Sequence, residues 1–333
     1  MPETIPVIDV ADYLAGRSGA LEATASRVRE ALTTVGFFVL TGHAVPRGMI
    51  ERAFAEAERL LDLPMKKKLA FKMNEHNNGY MAMGRYAVWT SDFNDNDKPD
   101  LNEAFFIKRE RAPDDPLRLS GRRFVGPNLW PDEADLPVFR ARVLEYVQVM
   151  DDLARRFLSA VAVALGLDPT WFDAPFIDGQ LPFRLSHYPP VKAEANQFGI
   201  APHTDSNFMT FLAQTEVPGL QVRMPAGDWR DVPYLSGSFA VNSGDILKRW
   251  SNGRFKSTPQ RALPPVGRHR YRDSVLRGAS LRSIDRMPAD LHRPGQSAAM
   301  AAVPLRRLAG LLVRRQLRSK GAKRRGVGSF VST

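Results

Sequence analysis

The hydrophobic positions in the first half of the chain repeat mostly at helical spacing. Leu21 to Thr34 and Met49 to Leu63 are predicted amphipathic helices, and Leu136 to Leu165 is a longer one whose apolar residues recur at i, i+3 and i+4. Three apolar runs are predicted strands: IPVIDV, GFFVLTGH and LNEAFFIK. Residues 73–135 are otherwise rich in Asn, Asp, Gly and Pro, so mostly loops are expected there.

From Pro182 onward the hydrophobic repeat changes to two residues. The segments that show it are short and are divided by Gly, Pro, Asn or Asp: FRLSHYP, FMTFLAQ, GLQVRM, WRDV, SFAVNSG and the stretch around STPQRAL. Short strands with regular turn residues favour an antiparallel sandwich or barrel. The pattern therefore predicts a mostly β fold with supporting α-helices, and it contains no internal repeat or phosphate-binding glycine motif.

Composition narrows the class of protein. A chain of 333 residues can bury a large core within one domain. It has no cysteine, which excludes disulfide scaffolds and cysteine-bound zinc or iron–sulfur sites, and fits a reducing compartment. The first residues lack a basic start followed by an apolar run, so no signal peptide is expected, and no apolar run of about 18 residues occurs that would predict a membrane span. A soluble, cytoplasmic protein is expected.

The net charge of +11 is concentrated at one end of the chain. Residues 272–333 hold fourteen Lys or Arg and three Asp or Glu, whereas residues 1–271 hold 33 of each. An excess of basic residues usually suggests nucleic acid or an anionic surface as partner. Because the net charge of residues 1–271 is zero, it gives no indication of the substrate that this larger part of the chain binds.

The first candidate for chemistry is His203-Thr204-Asp205. On an extended segment residues i and i+2 point to the same side, so an imidazole and a carboxylate converge. Such a pair supplies two ligands of a facial triad for ferrous iron. With six histidines in the chain, an isolated His-x-Asp is more often a surface turn.

Two further residues add context to this pair. Arg270, in GRHRY, offers a guanidinium that can bind a carboxylate with two hydrogen bonds, and Tyr188, in SHYP, offers a hydroxyl. Taken singly, Arg270 is as well explained as a solvated arginine and Tyr188 as a core aromatic.

Segments spread in order from residue 5 to about residue 271 resemble one family. They are IPVIDV, TTVGFFVLTGHAVP, KPDLNEAFFIKRER, FRLSHYPP, APHTDSNFMTFLAQTEVPGLQVRMPAGDWRDVP, NSGDILKRWSNGRFKSTP and GRHRY. Together they look like the isopenicillin N synthase-like branch of Fe(II)/2-oxoglutarate oxygenases, and within it the bacterial ethylene- or succinate-forming enzymes are the suggested nearest group. The resemblance implies a double-stranded β-helix (jelly-roll) core with N-terminal helices, an Fe(II) site and 2-oxoglutarate as cosubstrate.

The family pattern transfers residue by residue, with two departures. His203 and Asp205 match the first two iron ligands, and Arg270, with Tyr188, matches the residues that hold 2-oxoglutarate. The third ligand, a histidine in S-T-P-H-R, falls at Gln260, which should weaken iron binding by more than the roughly 10–100-fold that loss of an outer partner costs. The small residue expected two positions after Arg270 is Arg272.

After Tyr271 the resemblance stops. The family pattern implies an apolar strand such as A/S-I-P-F-F, but the chain reads RDSVLRGASLRSIDRMPADLHRPG. Codons can be chosen for the first eight of these residues such that the same bases, read in the next frame, encode Ala-Ile-Pro-Phe-Phe-Gly-Ala. Codons for the segment from Asp285 can likewise encode Ile-Glu-Cys-Leu-Pro-Thr-Cys in that frame. A single-base frameshift near codon 272, genetic or from a sequencing error, is therefore predicted. Residues 272–333 are then expected to pack poorly and to leave a sheet edge open.

The predicted organisation has three parts: residues 1–135 with substrate-side loops, residues 136–271 with the support helix and the jelly-roll core, and residues 272–333 as a basic tail. The main hypothesis is an oxygenase that releases succinate and CO2 while oxidising a small organic molecule, impaired by Gln260 and by the altered C-terminus. One alternative is an inactive pseudoenzyme or broken gene product. Another is a nucleic-acid or membrane-surface binder acting through residues 305–325, where a basic amphipathic helix is possible.

The loop from Asn77 to Asp100 is expected to line the substrate pocket. Arg85, Tyr86 and Trp89 are its candidate contacts, although packed loop aromatics explain the composition equally well. The sequence names neither the prime substrate nor the oligomeric state. Small-molecule substrate and O2 are the predicted partners, with no nucleic acid and no membrane.

Overall fold

The computed structural model describes residues 4–84 and 98–278. Within these ranges there are eight helices, of which three are long and amphipathic enough to pack on the sheets. The helices are α1 (Ala11–Leu14), α2 (Ala20–Thr34), α3 (Arg47–Leu61), α4 (Met65–Ala70), α5 (Pro116–Leu119), α6 (Phe139–Leu165), α7 (Asp173–Phe176) and α8 (Asp245–Trp250). The three predicted helices are confirmed as α2, α3 and α6, each within three residues of the expected bounds. No helix in the described ranges has the length and apolarity that a membrane crossing requires.

Twelve strands occur in the same ranges, and they form two sheets. The strands are β1 (Val7–Asp9), β2 (Phe37–Thr41), β3 (Gly79–Met81), β4 (Glu103–Ile107), β5 (Phe183–Tyr188), β6 (Ile200–His203), β7 (Met209–Gln214), β8 (Leu220–Arg223), β9 (Trp229–Asp231), β10 (Phe239–Ser243), β11 (Gln260–Ala262) and β12 (Arg270–Arg277). Every strand predicted from the period-two pattern after Pro182 is present. The hydrophobic pattern did not reveal β3 and β6.

The larger sheet has eight strands in the order β1-β2-β10-β7-β12-β5-β4-β3, and the smaller has four in the order β6-β11-β8-β9. All neighbours are antiparallel except β1 and β2. One face of the larger sheet is covered by the helices, chiefly α2, α3 and α6, which share a continuous apolar core with it. The predicted mostly β architecture with supporting helices is confirmed.

The expectation that residues 272–333 pack poorly is wrong for residues 272–278, the part of this segment that the structure describes. Arg270–Arg277 form β12, which lies inside the larger sheet between β5 and β7 and pairs with both. No sheet edge is therefore left open at this position. The expectation gave too much weight to the charged side chains, whereas any residue except proline can complete the backbone hydrogen bonds of a strand with two neighbours. Residues 279–333, including the basic stretch 305–325, lie outside the described residues.

Alternation along β12 sends its side chains to the two faces of the sheet. Asp273 and Val275 lie on the helix-covered face, where the Tyr146 hydroxyl of α6 donates a hydrogen bond of 3.0 Å to Asp273 Oδ1. Arg270 and Arg272 lie on the opposite face, which carries the candidate site. Arg272 and Asp273, the first two residues after the resemblance stops, thus lie on different faces of the same strand.

Candidate active site

The His-x-Asp pair begins where a strand of the smaller sheet ends. His203 is the last residue of β6, and Asp205 follows in the turn that leads to β7. His203 Nε2 and Asp205 Oδ1 are 3.6 Å apart. Two donors that each bind a metal at about 2.0–2.2 Å can be separated by at most about 4.4 Å. These two atoms are therefore close enough to bind one ion.

The other polar atoms of this pair are held by the protein. His203 Nδ1 donates a hydrogen bond of 2.8 Å to the Ala201 carbonyl, so the lone pair of the neutral ring is at Nε2. Asp205 Oδ2 accepts from Thr210 Oγ1 at 2.5 Å and from Asn242 Nδ2 at 2.9 Å. As a result, Nε2 and Oδ1 remain available and face one another.

Asp205 is ionised at neutral pH. Burial alone would raise the pKa of its carboxyl, but the neighbouring His203 ring and the hydrogen bonds from Thr210 and Asn242 lower it to about 2. The carboxylate is thus charged before any cation arrives, as a metal ligand must be.

Gln260 lies beside this pair. It is the first residue of β11 and the direct antiparallel partner of His203, so the two side chains project from the same face. Gln260 is only 4% exposed, and its Oε1 is a buried acceptor without a hydrogen-bond partner in the structure. An unpaired amide oxygen therefore occupies the position at which the family pattern has a histidine.

The donor set fits a resident metal ion in part. Two strong donors, an imidazole and a carboxylate, are present and preorganised. The third position supplies a neutral amide oxygen, which is a weaker ligand for ferrous iron than a second imidazole. Among the described residues there is no group of three or more His, Cys, Asp or Glu that could hold a metal.

Arg270 and Tyr188 are brought together at the junction of β5 and β12, where they are direct partners. The Arg270 guanidinium lies 4.2 Å from the centroid of the Tyr188 ring, and its Nη1 donates to the Pro218 carbonyl at 2.8 Å. Gly219 makes room for it, because a Cβ there would lie 1.7 Å from Nη1. Arg270 is 2% exposed, yet its Nε and Nη2 have no acceptor.

Two more arginines surround the same tyrosine. The Arg272 guanidinium lies 5.8 Å from the Tyr188 ring, with Nη1 3.5 Å from its hydroxyl. Arg184 donates to Asn102 Oδ1 at 2.6 Å, and its Nε is buried without an acceptor. Burial would raise the pKa of Tyr188, but the positive charges of Arg272, Arg184 and Arg270 outweigh it and lower the pKa. Burial, together with the charge of Arg272, lowers the pKa of Arg270 to about 10.

Asp100 is a site residue that the sequence pattern did not single out, except as the last residue of the predicted substrate loop. Its Oδ1 accepts from the Ala201 amide at 3.0 Å, and its Oδ2 is buried without a partner. Burial raises the pKa of this carboxyl to about 6, although the Ala201 amide, His203 and Arg184 act in the opposite direction. Of the other loop candidates, Arg85, Tyr86 and Trp89 lie outside the described residues.

Two protein-family models match the chain. One, described as the N-terminal region of a non-haem dioxygenase in morphine synthesis, matches residues 5–133. The other, the 2OG-Fe(II) oxygenase superfamily, matches residues 180–275 and so includes all the residues of the site just described except Asp100 and Asn102. A curated relative from Emericella nidulans, the 2-oxoglutarate-Fe(II) type oxidoreductase hxnY, is 34% identical over 278 residues, which cover 81% of this chain and 78% of the relative.

Solved structures agree with these matches. A full-length Neurospora crassa protein in complex with alpha-KG has a TM-score of 0.77 at 28% identity, covering 90% of this chain and 91% of the other. The same protein in complex with alpha-KG and thymine gives 0.75, also at 28%, covering 87% and 90%. These neighbours share the double-stranded β-helix core, so the predicted jelly roll is confirmed.

Proposed function

Because this chain belongs to the Fe(II)/2-oxoglutarate-dependent oxygenase family, we propose that His203 and Asp205 hold its iron, while Arg270 and Tyr188 hold the distal carboxylate of its cosubstrate. The family's reaction oxidises a small organic molecule with O2 and converts 2-oxoglutarate to succinate and CO2. The main support is the separation of 3.6 Å between His203 Nε2 and Asp205 Oδ1, with the remaining polar atoms of both side chains held by other residues.

The residues of this chain have distinct tasks in that proposal. The Ala201 carbonyl fixes the tautomer of His203, and Thr210 with Asn242 fixes the rotamer of Asp205, so little ordering is needed when a cation binds. The unpaired Nε and Nη2 of Arg270 offer two donors to a carboxylate. Iron and 2-oxoglutarate, when bound, supply the oxygen-activating chemistry.

We also propose that Gln260 impairs this activity. An amide oxygen cannot replace the electron donation of an imidazole, so iron affinity should be low and succinate formation slight. The alternative of an inactive pseudoenzyme rests on the same residue. An impaired oxygenase would still convert 2-oxoglutarate slowly when loaded with metal, whereas a pseudoenzyme would not convert it at all.

The test is iron binding and succinate release in the parent chain and in Gln260→His. We expect the substitution to raise Fe(II) affinity by at least roughly 10–100-fold, and to raise turnover less, because the chain still departs from the family pattern after Tyr271. A matched control is Gln221→His, which adds a histidine to β8 of the same sheet. Equal iron affinity in the parent and in Gln260→His would contradict the ligand assignment, and strong turnover by the parent would contradict the impairment.

A cytoplasmic location and the absence of nucleic-acid or membrane partners remain part of the proposal. They are supported by the lack of cysteine and by the neutral charge of residues 1–271. Cell fractionation tests the first. Salt-sensitive binding to DNA or anionic vesicles that disappears when residues 305–325 are deleted would contradict the second.

A further inference from the structure

The face of β12 that borders the site carries two buried arginines on alternate residues. Arg270 and Arg272 are 2% and 7% exposed, and both guanidiniums lie within 6 Å of the ring of Tyr188. Arg184, on the neighbouring strand β5, adds a third positive charge to the same tyrosine. None of these three arginines forms an ion pair with a carboxylate of the described residues. A buried charge without a counterion is costly, and binding of an anion relieves that cost.

The charges of this pocket do not cancel. Among the residues in 4–84 and 98–278, Asp100 is the carboxylate whose charge acts on both Arg184 and Tyr188, and its Oδ1 already accepts a hydrogen bond from the Ala201 amide. On the site face three guanidiniums stand against this one carboxylate, since Asp273, which interacts with the charge of Arg272, lies on the other face of β12, and this face therefore carries a surplus of positive charge. Two nitrogens of Arg270 and one of Arg184 are buried donors without acceptors. The pocket therefore offers both charge and hydrogen bonds to a ligand with two negative charges.

We propose that Arg272 turns the cosubstrate pocket into a two-arginine site that binds dicarboxylates through their distal carboxylate without help from the metal. The inference rests on the proposed role of Arg270, but not on iron. Binding would be anchored at the guanidinium end rather than by chelation through the 2-oxo group. It follows that succinate, which has the same distal carboxylate as 2-oxoglutarate but no 2-oxo group, binds nearly as well.

The experiment is calorimetric titration of the metal-free full chain, kept in chelator, with 2-oxoglutarate, succinate and the monocarboxylate butyrate. We expect the two dicarboxylates to bind within about tenfold of each other, and butyrate to bind more weakly than either, because it lacks the second negative charge that the positive surplus of the pocket attracts. Arg272→Ser should weaken both dicarboxylates by roughly 10–100-fold, as loss of charge-assisted hydrogen bonds does.

Two further variants complete the design. Arg272→Lys keeps the charge but loses the planar fork, so its affinity should fall between those of the parent and Arg272→Ser. It also provides a readout if the serine variant does not fold, which thermal unfolding will show. Arg268→Ser is the matched control, because Arg268 is an exposed arginine two residues before Arg270 that pairs with Glu216. It should leave both affinities unchanged.

The outcomes separate this inference from the proposed function. Metal-free dicarboxylate binding that Arg272→Ser weakens by roughly 10–100-fold supports the two-arginine site even if no variant binds iron. Iron binding and turnover by Gln260→His, with no dicarboxylate binding to the metal-free chain, would support the proposed function and overturn this inference. Equal affinities in the parent and in Arg272→Ser, or butyrate binding as well as succinate, would overturn it too.

Discussion

Two buried carboxylates on the helix-covered face of the larger sheet have opposite surroundings. Glu103 of β4 is held by three side chains: Lys68 at 2.9 Å, Tyr80 at 2.5 Å and His187 at 2.8 Å. Asp273 of β12 is completely buried, accepts one side-chain hydrogen bond, from Tyr146, and has an Oδ2 without a partner. In β4, which matches the family pattern, both carboxylate oxygens of Glu103 thus have hydrogen-bond donors. In β12, which departs from the pattern, one carboxylate oxygen of Asp273 has none.

The pKa values of these groups express the same contrast. Burial alone would raise the pKa of Glu103, but the hydrogen bonds from His187, Tyr80 and Lys68 lower it to about 2. For Asp273, burial dominates over the Tyr146 and Ala213 hydrogen bonds and the charge of Arg272, and raises the pKa to about 7. A buried carboxylate therefore stabilises a fold only when its neighbours supply donors.

The frameshift near codon 272 stays a prediction, and the shifted string can be compared with the two faces of β12. In the shifted string Ala-Ile-Pro-Phe-Phe-Gly-Ala, an isoleucine would stand at position 273 and a phenylalanine at 275, both on the apolar helix-covered face. An alanine would stand in place of Arg272 on the site face. The apolar side chains at 273 and 275 would suit the helix-covered face, whereas the proline that the same string puts at position 274 could not donate a backbone hydrogen bond in a strand that pairs with both β5 and β7.

Restoring that frame is the change with the largest expected effect. The restored protein should unfold at a higher temperature than any single-substitution variant, because it loses Arg272 and Asp273 from buried positions together. Differential scanning of the two proteins measures this. The proposal fails if the nucleotide sequence of the gene does not encode Ile-Pro-Phe-Phe in the shifted frame just after codon 272.

Glu103→Gln should remove the negative charge that pairs with Lys68 and lower the free energy of unfolding by about 3–5 kcal/mol, because the Lys68 ammonium stays buried without a counterion and keeps its hydrogen bond to the Leu61 carbonyl. The pKa of Glu103 is lower in the folded than in the unfolded state. Its contribution is therefore present above pH 4.5, its ordinary pKa, and is lost as the pH falls toward 2. Denaturant unfolding of parent and variant at several pH values measures the difference.

The exposed ion pair between Glu216 and Arg268 provides the control for this prediction. Glu216→Gln should change stability by less than about 1 kcal/mol. A loss for Glu103→Gln no larger than that of the control would show that the buried network contributes nothing.

Asp273→Asn should raise the free energy of unfolding at pH 8 by about 1–3 kcal/mol, because the buried negative charge is removed. The pKa of Asp273 is higher in the folded than in the unfolded state, so the folded protein binds more protons between about pH 4 and 7. Parent stability therefore falls as the pH rises through that window, and the advantage of the variant should grow across it. Asp114→Asn, at an exposed loop position, should show no such growth, and an advantage that does not depend on pH would contradict the buried-charge interpretation.

Tyr146→Phe should have the smallest effect, a loss of about 0.5–1.5 kcal/mol, because it removes the hydrogen bond of 3.0 Å to Asp273. Thermal unfolding compared with Tyr234→Phe, a tyrosine at the surface, measures it. No loss relative to that control would mean that the hydroxyl does not stabilise Asp273.

The sequence alone determined the local elements and the composition of the site. Period-two alternation identified β5, β7, β8, β9, β10 and β11, since a strand with one buried face must alternate. The family pattern singled out His203, Asp205, Arg270 and Gln260, because a metal or a carboxylate restricts which residue types can serve. The short strands β3 and β6 lacked enough alternating positions to be recognised.

Only the tertiary structure decided what depends on neighbours from distant parts of the chain. It placed Gln260 beside His203, with its amide oxygen unpaired, and it brought Arg184 and Arg272 to the same tyrosine as Arg270. It also gave β12 two partner strands, although its side chains had suggested that no strand would form. The physical reason is that the sequence shows which groups are polar, but the energy of a buried polar group depends on the donors and acceptors that the fold places within about 3 Å of it.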